Sequence, residues 1–268
     1  VASLFLSFND YTISGTPKWV GLANYLKALS GSDALFWPSV LRTFHYALLI
    51  VPIGISLSLL IALGLNQQLR LTPVLRTFYF LPSLTPIVAA ALIWAWLYQP
   101  DFGAINWLLS LVHIHGPQWL ADPDIALYAL IVIGLWGSVG GSTMIIFLAG
   151  LQSVPSELHE ASQIDGAGRW TRFWHVTVPM ISPTILFNLI IGIVAALQVF
   201  TVSIVATQGG PNYATWFFIV HLYQNGFLDF DMGYASALAW IFLVIILVLT
   251  LINLRLSNRW VYYEGEVK

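Results

Sequence analysis

The side chains able to do bond-making chemistry are few, and none completes a catalytic set. His159-Glu160 opens like the zinc helix H-E-x-x-H, in which two histidines one turn apart hold the metal, but Gln163 occupies the second histidine's place. His113 and His115 lie near Asp122 and Asp124, and read as a surface-loop pair before they read as a metal site. A P-loop needs a lysine followed by Ser or Thr to cradle phosphates. Lys18 and Lys27 are followed by Trp19 and Ala28, and Lys268 by nothing. Gly140-Gly141-Ser142-Thr143 has no lysine and sits in an apolar run, where close helix packing is its use. With no cysteine, thiol catalysis, disulfides and thiolate metal sites are excluded. The polar chemistry gathers instead between Glu157 and Pro183, in ELHEASQIDGAGRWTRFWHVTVPMISP. Two glutamates, an aspartate and two arginines fall between Glu157 and Arg172. Such a set suits docking to a partner, not catalysis, so no catalytic or metal-ligating residue is expected.

The elements that must position this segment are membrane-crossing helices. Hydrophobic residues make up 58% and charged residues 8%, against roughly 45–50% and about 25% in soluble domains. Mean hydropathy is +0.81. The net charge of −2 offers no basic surface for nucleic acid. A span needs about 20 mainly apolar residues. Five runs qualify, at about 39–65, 77–98, 125–151, 183–206 and 234–254, and the apolar first eight residues read as the outer end of a sixth, truncated helix. The runs do not alternate as barrel strands do. The fold expected is an all-α integral membrane bundle of six helices in one domain, residues 1–268. Arg70, Arg76, Arg169, Arg172, Arg255, Arg259 and Lys268 fall in the connectors at 66–76 and 152–182 and in the tail, against Lys18, Lys27 and Arg42 on the other side. The excess places the first group, and the C-terminus, in the cytoplasm.

Pro52, Pro82 and Pro86 each remove a backbone donor within or beside a span, and breaks are expected there. Small residues recur at helical spacing in Gly54, Ser58 and Ala62, in Gly134, Ser138 and Ser142, and in Gly192 and Ala196. They permit close helix approach, within one bundle or against a second subunit. No ionisable residue lies deep in a span, which argues against a proton-coupled carrier. Neutral polar and aromatic groups do: Asn188 and Gln198 on one broad side of the run at 183–206, Trp94 with Trp96 and Tyr98 at the end of the run at 77–98, and Trp136 in the run at 125–151. Asn188, Gln198, Trp94 and Trp136 could line a path for a neutral polyol. Asn188 and Gln198 could equally hydrogen-bond between helices, and Trp96 and Tyr98 could anchor at the interface.

Within the polar segment, Ser153 or Ser156 is placed to cap a helix start, and Asp165-Gly166 is a turn signal with Gly166 in left-handed geometry. Asp165 could cap a second short helix carrying Trp170 and Phe173. Pro179 and Pro183 set the start of the next span. The run EASQIDGAGRWTRFWHVTVPMISP resembles the EAA loop of permease subunits in bacterial binding-protein-dependent ABC importers. Glu160, Ala161, Asp165, Gly166, Ala167, Phe173, Pro179 and Pro183 match that pattern, and Ser162 replaces its second Ala. WVGLANY at 19–25, WLADP at 119–123, FLAGLQSVP at 147–155, TQGGPNYAT at 207–215 and MGYASA at 232–237 are similar to the carbohydrate-type branch, in the class that heads a pair of permeases such as those for maltose or glycerol phosphate.

The resemblance implies a type I importer permease in the inner membrane of a bacterium. Glu160, Ala161, Asp165, Gly166, Ala167 and Phe173 would form the contact with an ATPase subunit, Glu160 pairing with a basic residue there. The implied partners are a second homologous permease, two ATP-binding subunits, an extracytoplasmic solute-binding protein and membrane lipid. ATP and Mg would sit on the ATPase subunits, with no cofactor in this chain. For Arg169 and Arg172 two readings stand, docking or holding topology as inside positives. A permease for a non-carbohydrate solute, or a self-sufficient carrier or channel, remains the alternative.

Overall fold

The computed structural model describes residues 2–13, 15–67 and 71–262. Val1, Arg70 and Lys268 lie outside the described residues. Helix α1 (Ala2–Ser7) leads to an antiparallel ribbon of β1 (Asn9–Asp10) and β2 (Lys18–Trp19), then to α2 (Ala23–Leu29). Asn24 ties these pieces together, donating to the carbonyls of Ser7 (3.0 Å) and Asn9 (2.9 Å). Helix α3 (Phe36–Leu65) runs unbroken through Pro52, so the break expected there is absent: a proline deletes one rung of the helix ladder, and the apolar turns on either side carry on.

The next two runs do break. Helix α4 (Thr72–Phe80) passes into a 3₁₀ turn at Leu81–Leu84 with Pro82 in its first turn, and α5 (Ile87–Leu97) follows. Thr85 is extended (ψ 125°), the conformation favoured before a proline such as Pro86, so 77–98 is not one helix. After α6 (Ala104–Leu111), the run at 125–151 divides into α7 (Ala126–Ser138) and α8 (Ser142–Gln152). The cause sits at Gly140, where any Cβ would collide with the carbonyl of Tyr79. The Gly-Gly pair therefore serves a close backbone approach at a helix break, not a seam within a continuous span. Next come α9 (Ser156–Ile164), α10 (Arg169–Arg172), a π-helical turn at Phe173–Thr177, α11 (Val178–Met180) and α12 (Ser182–Leu197). The run at 183–206 then divides at 198–200 before α13 (Thr201–Ala206). Helix α14 (Phe218–Tyr223) and α15 (Met232–Ser257) complete the chain. Only α3 and α15 are each long and apolar enough to cross a membrane unaided; bent helix pairs raise the number to as many as five among the described residues.

The chain forms two compact units. One comprises Val1–Leu49, Ile87–Ile133 and Val194–Leu249. Its aromatic core stacks Phe218 on Phe242 (4.8 Å between centroids), with Phe36 edge-on at 5.9 Å. The Phe218 amide donates to the Thr43 hydroxyl at 2.8 Å, which fixes where α14 starts. The other unit comprises Ile50–Pro86, Gly134–Ile193 and Thr250–Lys268. In it Ala62 and Leu65 pack against Met144, Phe147, Leu151 and Ile181. The Ser58 hydroxyl donates to the Val139 carbonyl at 2.7 Å, and a Cβ on Gly54 would stand 3.5 Å from Leu135. The stripe of Gly54, Ser58 and Ala62 thus serves packing within the chain. Ser138 and Ser142 are exposed.

Candidate functional site

The polar segment folds as a short helical hairpin. Helix α9 ends when the Ala167 amide bonds back to the Ser162 carbonyl (2.9 Å) and the Gly166 amide to the Gln163 carbonyl (3.0 Å). This paired closure requires left-handed backbone, which Gly166 supplies at φ +77°. A Cβ at Gly166 would meet nothing within 4 Å, so the turn faces open space. The caps differ from the sequence expectation. Pro155 holds the N-cap position of α9 and Gly168 that of α10, neither with a side-chain cap. Ser153 is the C-cap of α8, its hydroxyl donating to the Gly150 carbonyl at 2.9 Å, and Ser156 is the first residue of α9. Asp165 closes α9 instead of opening α10, because the glycine closure already fixes the chain reversal.

Glu160, Ala161, Asp165 and Gly166 are exposed; Ala167 and Phe173 are half-buried. Ile164 is 87% and Trp170 76% exposed. Phe173 supports both neighbouring indoles edge-on, Trp170 at 6.2 Å and Trp174 at 5.1 Å. Among the described residues Lys27–Asp231 is an ion pair and His221–Asp33 a hydrogen-bonded contact of the same reach, and Glu157, Glu160, Asp165, Arg169 and Arg172 take part in neither. Glycines, unpaired charges and large apolar side chains thus stand together on one turn. At the end of the hairpin, α10–α11 and α12 meet at 66°. The Ser182 hydroxyl spans the bend, donating to the Pro179 carbonyl (2.6 Å) and accepting from the Tyr262 amide (2.8 Å).

The residues expected along a path fall in different surroundings. Asn188 is 5% exposed, and its buried Nδ2 has no hydrogen-bond partner. Gln198 is exposed, as are Ala195, Ile191 and Phe187 before it. Trp94 is half-buried, its ring 5.3 Å from Tyr98, and Trp136 is 37% exposed. Trp96 is exposed as an interfacial side chain would be, but Tyr98 is not: it is buried, packs against Trp119 at 5.3 Å and donates to the Ala129 carbonyl at 3.4 Å. Tyr98 is a core residue because its hydroxyl finds an acceptor inside the protein.

A second polar cluster was not legible in the sequence. Asp33 Oδ2 accepts from the Tyr234 hydroxyl (2.6 Å) and from His221 Nε2 (2.7 Å), while Oδ1 accepts from the Leu35 amide (2.9 Å). Trp216 Nε1 donates to His221 Nδ1 at 3.3 Å. An indole can only donate, so Nδ1 carries the lone pair, and His221 is the neutral tautomer with its proton on Nε2. Lys27 bonds Asp231 at 3.2 Å and lies 3.9 Å from the centre of the Tyr234 ring. Burial pushes the His221 imidazole down, and Lys27 adds to this; together they outweigh the opposing pull of Asp33 and Asp229. Burial pushes Asp33 up, yet the Tyr234 hydrogen bond, the charge interaction with His221 and the Leu35 amide hold it below the ordinary carboxylate value. Of the cluster, Lys27, Asp33, Trp216 and His221 line an open cleft of about 400 Å³ with Gln224 and Asn225. The one available signal was the placement of Asp33 and Asp231 just ahead of two apolar runs, where a charge needs a partner.

Helices with apolar exposed faces, broken by proline and glycine and joined by a hairpin whose charges form no ion pair among the described residues, define a multi-pass membrane component. The chain belongs to the family of binding-protein-dependent transport system inner membrane components, whose model it matches over residues 51–262. It is 41% identical over 269 aligned residues to the probable ABC transporter permease protein YesP of Bacillus subtilis (strain 168), covering 99% of this chain and 86% of that one. It is 34% identical to the trehalose/maltose transport system permease protein MalF of Thermococcus litoralis, over 93% of this chain and 83% of the relative. A crystal structure of a bacterial ABC transporter involved in alginate import shares the fold, with TM-score 0.84 and 24% identity over 96% of this chain and 88% of the other.

Proposed function

We propose that the chain is the permease subunit of an ATP-driven importer that carries a sugar or related polyol, taken from an extracytoplasmic binding protein. The carbohydrate assignment is supported by the trehalose/maltose relative and by the alginate transporter of like fold. It agrees with spans that offer neutral amides and indoles. In this reading the chain lies in the bacterial inner membrane with its C-terminus in the cytoplasm and acts as one permease domain, since α3, α12 and α15 each contribute to both compact units. It pairs with a second, homologous permease and with two ATPase subunits that hold ATP and Mg. The observation that carries the ATPase contact is the α9–α10 hairpin, whose open glycine turn stands beside exposed Ile164 and Trp170.

The mechanism builds on the hairpin's closed turn and exposed side chains. Gly166 lets a partner's backbone approach, Ile164, Trp170 and Phe173 give it an apolar foothold, and Glu160 meets a basic group. Closure of the ATPase pair then moves α9–α10 as a body, and the strapped bend at Ser182 passes that motion to α12. Two arrangements of the spans, each open to one side, are biased by nucleotide. Buried Asn188 supplies an amide to the permease seam or to the path, while Gln198, Trp94 and Trp136 meet the passing solute. The test is reconstitution. The chain alone in liposomes hydrolyses no ATP and takes up no sugar; with its ATPase partners and binding protein it does both. Robust uptake by the lone chain would overturn the assignment.

A further inference from the structure

Helix α6 presents a polar side and an apolar side that have different fates. Asn106 organises the polar side. Its Nδ2 donates to the carbonyls of Pro100 and Pro117, both at 3.3 Å, and its Oδ1 accepts from Trp119 Nε1 at 2.7 Å. One side chain thus closes the stretch from 100 to 119 into a compact loop and turns α6 in a fixed direction. The other side carries Trp107, Leu108 and Leu111, with Val112 and Ile114 just beyond; Trp107 is 60% and Leu111 59% exposed. No Asp, Glu, Lys or Arg occurs between 102 and 121, while Asp101 and Asp122 bracket the stretch. The apolar side does not stop at the helix. Phe102 packs on Trp96 (6.4 Å between centroids), and Trp96 is exposed on α5, as are Leu92 and Ile93.

We propose that α6 lies in the membrane interface, its Trp107–Leu111 face embedded among lipid headgroups and upper acyl chains. Three observations select lipid over water or a partner protein. The face is continuous, through the Phe102–Trp96 pair, with the exposed surface of a helix in the membrane. Its helix carries no Asp, Glu, Lys or Arg for a partner to pair with, and the histidines of the stretch, His113 and His115, lie beyond the end of α6. Its make-up, Trp and Leu on one side with a polar group turned inward, is that of an interfacial helix whose depth is set by an indole. Such a helix fixes the depth of the adjoining end of α5, because Asn106 and Trp119 tie the loop to itself while Phe102 holds it to Trp96. The inference requires only that α5 lie in the bilayer, and does not depend on which solute is carried.

The absence of native cysteine makes the test direct. Trp107→Cys, Leu108→Cys and Leu111→Cys, each made singly in the full chain, are labelled with bimane and placed in nanodiscs. Asp124→Cys provides a reference for water and Leu92→Cys a reference for lipid. Nitroxide lipids spin-labelled at the headgroup or high on the acyl chain should quench the three α6 labels several-fold more than the Asp124→Cys label. Iodide should quench them several-fold less. Iodide quenching equal to that of Asp124→Cys would put the face in water, and protection from both quenchers would put protein over it. Either result overturns the proposal. Because the three substitutions are independent, a folding defect in one leaves two readouts.

Discussion

The α9–α10 hairpin and the Asp33 cluster are both islands of charge in a chain with almost none, and they are built in opposite ways. In the cluster every charge is answered within the chain: Asp33 by three donors, Lys27 by Asp231 and the Tyr234 ring. In the hairpin the carboxylates and guanidinium groups form no ion pair among the described residues, and the largest apolar side chains face outward. A self-satisfied cluster holds the chain that carries it. An unsatisfied one is completed by something else. Substitutions in the first should therefore be read in stability, and substitutions in the second in transport.

The largest separation is expected at the hairpin. Glu160→Lys and Gly166→Trp should reduce uptake by the assembled transporter to background, while the purified chain melts as the parent does within about 1–2 kcal/mol, the cost of a non-glycine residue in left-handed backbone. Gly166→Asn, which tolerates that backbone, should keep most of the uptake. Loss of the ATPase partners on purification would locate the defect in docking; unchanged uptake in both severe variants would end the coupling role.

Next is Asp33→Leu. It strands the Tyr234 hydroxyl and His221 Nε2 without their acceptor, and should destabilise the chain by about 3 kcal/mol in detergent melts. Asp33→Asn retains an acceptor and should cost less. Equal melting of Asp33→Leu and the parent chain would show that the cluster holds nothing.

The third expectation is a pH dependence. The folded chain holds His221 below its ordinary value of 6.5, so the unfolded chain binds a proton more readily. The cluster's contribution is therefore complete above about pH 6.5 and declines as pH falls from there toward the lowered folded value. His221→Gln keeps a donor for Asp33 and an acceptor for Trp216 without titrating, and should flatten the melting curve against pH in that window. A parent curve that is flat from pH 7.5 to 5 would contradict the tautomer assigned to His221.

The smallest effects are expected in α12. Asn188→Leu removes a buried amide with an unpartnered Nδ2, so the isolated chain should melt unchanged or about 1 kcal/mol higher. Pairing with the second permease should weaken instead. Gln198→Leu should lower uptake while leaving assembly intact. Co-purification and uptake, measured on the same preparations, separate the two.

The sequence displayed the runs because hydropathy is additive along the chain. It displayed the glycine turn because only one backbone geometry closes a helix that way. It did not display where runs break. Pro52 and Pro86 look alike in one dimension, yet α3 absorbs the first while the second forces Thr85 extended. Gly140 breaks its run through the Tyr79 carbonyl, some 60 residues earlier, which no local pattern records. Asp33 meets His221 and Tyr234 across separations of 188 and 201 residues, so the cluster exists only once the chain has folded. The hairpin matched because its logic is local, though its caps did not: serine and aspartate at plausible positions yielded to Pro155 and Gly168.

The Ser182 hydroxyl has one further consequence. It is held by the carbonyl of Pro179 on one side and by the Tyr262 amide on the other, so Tyr262 rides on the α10–α12 bend. A spectroscopic probe at residue 262 would sense tilting at that bend without touching the docking surface. A bulky group attached at residue 262 would act as a brake. That position is thus both a natural place to listen to this transporter turning over and a poor place to load with bulk.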